Sequence, residues 1–281
     1  MAVLLALCAA LTYGLSDFLG GLLSRRTAAW SVAVVAQVSA TACTGAIAWF
    51  AGGAPTRADL WWGGLAGIAS GVGTGFLYRG FASGRMSVVA PVSAVGAALV
   101  PALAGALSGE RLSLLVWLGV VVALPAIWLV SSPPADGGHE RAGSSFGAGL
   151  LDGVLAGLGF GVLFAAIGQV PPTAGWWPLA LSQAVSIPSV VLLAVLLRAS
   201  WRPRGRTVRL ALLAGPLGAT ATALFLLATQ RGFLTVAGVL TSLYPASTVL
   251  LAALVLHEKV HRAQGVGLGL CARAVALVAG G

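Results

Sequence analysis

Residues 257–261 read HEKVH. Two histidines one helical turn apart, with a glutamate after the first, form the pattern that binds zinc and activates water in metalloproteases. A second kind of chemistry is offered by Asp17, an acid set in the apolar stretch YGLSDFLGG. A carboxyl held away from water could take up and release a proton, or hold a cation. A third is offered by two glutamines, Gln37 and Gln183. Each can donate and accept at once, which suits a polar or zwitterionic solute.

The elements that must position these residues follow from composition. The chain has 281 residues, 58% hydrophobic and 8% charged, with a mean hydropathy of +0.98. Soluble domains carry about 25% charged residues, so the solvent of this chain is lipid. The 39 glycines suit close helix packing in a membrane. The net charge of +9 lies in short gaps between apolar runs, as expected of a membrane protein orienting itself and not of a nucleic-acid binder. Cys8, Cys43 and Cys271 all sit inside apolar runs, which argues against a disulfide framework. The first apolar run starts at Ala2 with no basic segment before it and reads as a retained span.

A span needs about 20 mostly apolar residues. That criterion predicts ten, at 2–23, 30–50, 60–78, 87–107, 114–130, 147–169, 176–197, 208–229, 234–256 and 263–280. The polar stretch SSPPADGGHERAGSS splits them five and five. The expected organisation is therefore a first five-helix repeat over 1–130, a linker over 131–146 and a second repeat over 147–281. The halves match in order. Residues 84–112 lie over 232–260 without a gap, placing Glu110 over Glu258. Residues 9–21 lie over 156–168, placing Tyr13 over Phe160, and 34–40 lie over 180–186, placing Gln37 over Gln183. Five is odd, so the second half enters the membrane from the opposite side. The predicted fold is all-α and integral to the membrane, ten transmembrane helices in two inverted repeats, an architecture that puts a solute near the midplane between the halves.

The ten-span plan, the entry GRMSVVAP to span four, and the exits GERL and HEKV from spans four and nine resemble EamA-type members of the drug/metabolite transporter superfamily. So does a glycine nine residues after each exit glutamate, Gly119 and Gly267. The resemblance covers essentially the whole chain. It implies a carrier for metabolites or drugs working by alternating access, with spans one to four and six to nine lining the cavity and five and ten peripheral. It also implies both termini inside the cell. One departure is Pro245, which has Ala97 opposite it, so a break in span nine need not be mirrored in span four.

Asp17 is read as the only acid well inside a span and carries the expectation of proton coupling or substrate binding. Its repeat partner is Phe164. Tyr13, Thr74, Tyr78, Ser93, Ser182, Thr241 and Tyr244 join Asp17, Gln37 and Gln183 as candidate substrate-binding residues, because their types suit hydrogen bonding and stacking. Glycines at 63, 67, 71 and 75, and at 149, 153, 157 and 161, mark two helix faces for close packing, or for sliding during transport. Arg273 lies midway through span ten and reads as a snorkelling side chain or an oligomer contact.

Twelve of the sixteen Lys and Arg fall in the odd-numbered connections and three in the even ones. The positive-inside rule then puts the odd connections in the cytoplasm and both termini outside, against the family habit. The function expected is secondary transport of a small organic metabolite or drug-like solute, favouring export, across a plasma (inner) membrane. No G-x-x-x-x-G-K-[ST] signature is present, so the drive is a gradient. Catalysis, a cofactor, a bound metal and nucleic acid are not expected; the lipid bilayer, a small solute and a homo-oligomer are the partners in view. Two alternatives stand beside this reading. One is a membrane scaffold. The other is an intramembrane zinc protease, resting on HEKVH and on LDG at 151–153, which lies before the histidine motif where such proteases place it after. The repeat weakens the zinc reading: His257 and His261 lie over Gly109 and Ser113, and Glu258 is the partner of Glu110. Both glutamates are read as parts of a turn, each favouring the N-terminus of the helix that follows it.

Overall fold

A computed structural model describes residues 1–83, 86–131, 144–205, 207–255 and 260–281. Among them every regular element is helical: α1 (Ala2–Ser24), α2 (Ala29–Ala51), α3 (Arg57–Ala82), α4 (Met86–Leu107), α5 (Leu114–Ser131), α6 (Ser144–Ile167), α7 (Trp177–Leu196), α8 (Ala211–Thr229), α9 (Leu234–Thr241), α10 (Tyr244–Val255) and α11 (Arg262–Gly280). Among the described residues nine segments are long and apolar enough to cross a membrane, one of them bridging α9 and α10. The tenth span is α3, whose glycines and terminal charges lower its hydropathy over 26 residues. The ten expected spans are thus all helices, and the chain is a multi-pass membrane protein. Most of the expected linker, 132–143, lies outside the described residues.

Hydroxyls that would be unsatisfied in lipid are bonded inside their own helices. Thr12, Ser24, Thr41, Thr44 and Ser189 each donate to the carbonyl four residues back. This keeps polar side chains in apolar helices at little cost. The ninth span is broken between Thr241 and Tyr244. Pro245 has no N–H for the carbonyl of Thr241, so the ladder stops there. Its repeat counterpart α4 runs unbroken through Pro91 and Pro101, as the mismatch of prolines predicts.

The halves interlock, and the most extensive cross-repeat contacts have mirrors. α3 packs on α6 as α8 packs on α1; α3 packs on α7 as α8 packs on α2; α4 packs on α6 as α9 and α10 pack on α1. α2 on α7, α4 on α9 and α5 on α11 lie across the pseudo-twofold itself. The glycine faces make these approaches. A Cβ at Gly63 would fall 2.5 Å from the Pro178 carbonyl, and one at Gly71 would fall 2.5 Å from Ser189 Cβ, both on α7. Cβ atoms at Gly153 and Gly161 would collide with Val92 and Val100 of α4. α5 and α11 pair at the margin of the bundle, and Arg273 is exposed there, away from Asp17.

Candidate functional site

Three helices of each repeat enclose a cavity: α1, α2 and α3 from one, α6, α7 and α8 from the other. It contains about 460 Å³ of space not filled by atoms, open solvent included.

The walls follow the pseudo-twofold. Tyr13 faces the cavity with its repeat partner Phe160, and Gln37 with Gln183. Thr74 and Thr222, 148 positions apart like the matched 84–112 and 232–260, line it as well. Among the polar lining residues two break the pattern: Asp17, whose partner Phe164 lies fully buried behind the wall, and Tyr78. Six of the ten sequence candidates therefore meet here: Tyr13, Asp17, Gln37, Thr74, Tyr78 and Gln183.

Local bonds hold the walls in place. Gln37 Nε2 donates to Ser70 Oγ at 3.3 Å and Thr74 Oγ1 at 3.5 Å, joining α2 to α3. The Tyr13 hydroxyl and Thr222 Oγ1 share a hydrogen bond of 2.6 Å between α1 and α8. Ser16 Oγ donates to the Ala214 carbonyl at 3.0 Å, joining α1 to α8. Among the described residues Asp17 makes no hydrogen bond and no ion pair.

The other four candidates stand outside the cavity. Ser93, Thr241 and Tyr244 belong to α4, α9 and α10, which pack against each other and behind α6 and α1. Thr241 Oγ1 donates to the Ala6 carbonyl at 3.4 Å, and Ser93 and Tyr244 share a long hydrogen bond of 3.4 Å. Tyr244 nonetheless touches the site from behind, its ring centroid 6.4 Å from that of Tyr13. Ser182 turns toward α3, where Gly67 packs on its backbone, and its Oγ donates to the Leu179 carbonyl. The lining is thus narrower than the resemblance implies: spans four and nine support it without contributing to it. Ser16, Ser70, Leu163, Thr222 and the small residues Ala36, Ala40 and Gly218 line the cavity without having been singled out. Thr222 and Ser70 carried a usable signal, since Thr222 is in register with Thr74 and Ser70 lies one helical turn before Thr74.

Three readings of charged residues change. Asp152, of the LDG triplet, is fully buried in α6 and ion-paired to Arg79 of α3. Arg79 Nε donates to its Oδ1 at 2.9 Å, and the guanidinium also lies over the Phe76 ring at 4.5 Å. Asp17 is therefore not the only acid well inside the bundle, and Arg79 is a helix residue, not a charge of the third connection. Glu110 does not serve the helix that follows it. Its Oε1 accepts from the Leu234 N–H at 2.5 Å and its Oε2 from the Thr235 N–H at 3.1 Å, capping α9 of the other repeat. α5 is capped locally by Ser113 Oγ, which accepts from the Val116 N–H. His257, Glu258 and Lys259 lie outside the described residues; His261 begins α11, its N–H donating to Gln264 Oε1 at 3.1 Å.

Comparison with known proteins adds the following. The model of the EamA-like transporter family matches residues 1–132 and again residues 147–280. A solved structure titled "Crystal structure of protein" superposes with a TM-score of 0.74 at 17% identity, covering 98% of this chain and 95% of its own. That likeness shows the fold. No curated protein matches the chain.

Proposed function

From the premise that this chain belongs to the EamA-like transporter family, and so is a membrane transporter, we propose a secondary carrier that exports a small organic solute by alternating access. Residues 1–130 and 147–281 act as the two moving repeats, joined by 131–146, in a plasma (inner) membrane. The chain performs no catalysis in this reading. The observation that carries it is the cavity between the repeats, lined by three helices from each and containing the unpaired carboxyl of Asp17. A site shared across a pseudo-twofold can be uncovered from either side by rocking one repeat against the other.

Asp17 is the point where a proton and the solute compete. The titratable groups within electrostatic reach of it are Tyr13 on its own helix and Tyr78 on α3, both lining the cavity, and Tyr244 on α10 behind it. Gln37, Thr74, Gln183 and Thr222 orient the solute by hydrogen bonds. A proton entering at Asp17 releases the solute outward, and the pH gradient drives the cycle.

The test is flux in proteoliposomes across a panel of cationic, zwitterionic and neutral solutes, with and without a pH gradient. The expected result is flux of at least one class that rises with the gradient, and a response at least about tenfold smaller in D17N. Full pH dependence in D17N would remove the proton role. Absence of flux for every class would remove the carrier reading.

A further inference from the structure

We infer that the cavity selects monovalent organic cations, with the Asp17 carboxylate holding a protonated or quaternary ammonium group between the rings of Tyr13 and Tyr78. This rests on the carrier reading and names its substrate class.

The chain has only three tyrosines, at 13, 78 and 244. They come from three helices, and the fold brings all of them into electrostatic reach of Asp17. Tyr13 and Tyr78 line the cavity together with Phe160, while Phe164 and Tyr244 back the Tyr13 ring at centroid distances of 5.6 and 6.4 Å. Aromatic faces attract a cation through their quadrupole, most strongly away from water.

The tyrosine hydroxyls do not satisfy the acid. Tyr13 bonds Thr222, Tyr244 bonds Ser93, and no hydrogen bond joins Tyr78 to Asp17 among the described residues. The carboxylate is left as an acceptor for a ligand.

The rest of the lining has no positive charge: among the described residues no Lys, Arg or His faces the cavity. Arg79, next in sequence to the lining residue Tyr78, is committed to Asp152 and to the Phe76 ring. Arg273 is exposed on α11. An anion would meet an uncompensated carboxylate, and a zwitterion would leave its own carboxylate with neutral partners only. An ammonium group finds one opposite charge and aromatic faces. The charge is also single, because the repeat partner of Asp17 is Phe164. That sets the preference for one positive charge. Ala36, Ala40 and Gly218 are the small residues of the wall.

The experiment compares molecules of one shape and different charge on the purified full-length protein. The probes are choline and the tetraalkylammonium series from methyl to butyl, 3,3-dimethylbutan-1-ol as the neutral isostere of choline, and glycine betaine as its zwitterionic analogue. Affinity is read from ligand-induced thermal stabilisation. The expected result is that at least one cation binds about tenfold or more tighter than the neutral and zwitterionic probes, that D17N removes this preference, and that D17E retains it. Equal or tighter binding of the neutral or zwitterionic probes overturns the inference, as does an unchanged preference in D17N or no binding by any ammonium probe. If D17N does not fold, Y13L and Y13F decide: a ring-based site weakens cation binding about tenfold more in Y13L than in Y13F, and equal effects overturn it. The two readings fail separately. Flux of neutral or zwitterionic solutes without cation preference leaves the carrier and removes the cation site; cation binding with no flux of any solute does the reverse.

Discussion

Gln37 and Gln183 occupy equivalent places in the two repeats, yet their surroundings assign them different work. Gln37 is bonded to Ser70 and Thr74, so it ties α2 to α3 as well as facing the cavity. Gln183 faces the same cavity, and its side chain makes no hydrogen bond among the described residues. Substituting Gln37 by Leu leaves two hydroxyls without their donor and is expected to cost about 1 kcal/mol. Gln183→Leu is expected to leave the melting temperature in detergent almost unchanged and to raise the KM for transported solute. Melting curves and flux measured on both variants check the contrast; a larger loss of stability in Gln183→Leu would refute it. Residue types and repeat register were enough to bring out six of the lining side chains. They were not enough to tell Tyr78 from Tyr244, because which face of a helix meets a cavity depends on neighbours distant in the chain.

At the scale of the element, three features hold the helices. Glu110 caps α9 from the opposite repeat through two backbone N–H groups. Glu110→Ala is expected to destabilise by about 1–2 kcal/mol, the usual range for a lost cap, and to fray α9 first, which hydrogen exchange at Leu234 and Thr235 would detect. The Arg79–Asp152 pair joins α3 to α6. The Asp152 side chain is 0% exposed and that of Arg79 is 31% exposed. Asp152→Asn is thus expected to cost about 2 kcal/mol, below the roughly 3–5 of a fully buried pair because water reaches the arginine. A melting temperature equal to wild type would refute that. Glycine faces give the sharpest contrast. Gly63→Ala pushes a methyl into the Pro178 backbone, whereas Gly45→Ala meets nothing within 4 Å. The first is expected to lower thermal stability and the second to raise it slightly by helix propensity; equal melting temperatures would show that α3 does not pack on α7 as described.

At the scale of the whole molecule, the distribution of twelve of sixteen Lys and Arg in the odd connections predicts both termini outside. The arginine of the third connection that proved to be helical, Arg79, shifts that balance by one and does not reverse it. Reporter fusions at the C-terminus are expected to be active only for a reporter that works outside the cytoplasm, and moving the arginines of 198–209 to an even connection should invert the result. The sequence by itself determined the number of spans, their near limits and the pairing of one half with the other. Those properties are local: the length of an apolar run, the place of a proline and the recurrence of a pattern need no partner to be read. Tertiary structure alone decided which helix faces meet, and so that α1 to α3 and α6 to α8 enclose the cavity while α4 and α9 stand behind it. It also decided that Asp152 is answered by Arg79, that Glu110 serves a helix 124 residues away, and that three scattered tyrosines gather near Asp17. In lipid, apolar surface does not tell one helix face from another. The choice rests on close fit between small residues and on partners for the few polar groups, and both exist only once distant helices have packed.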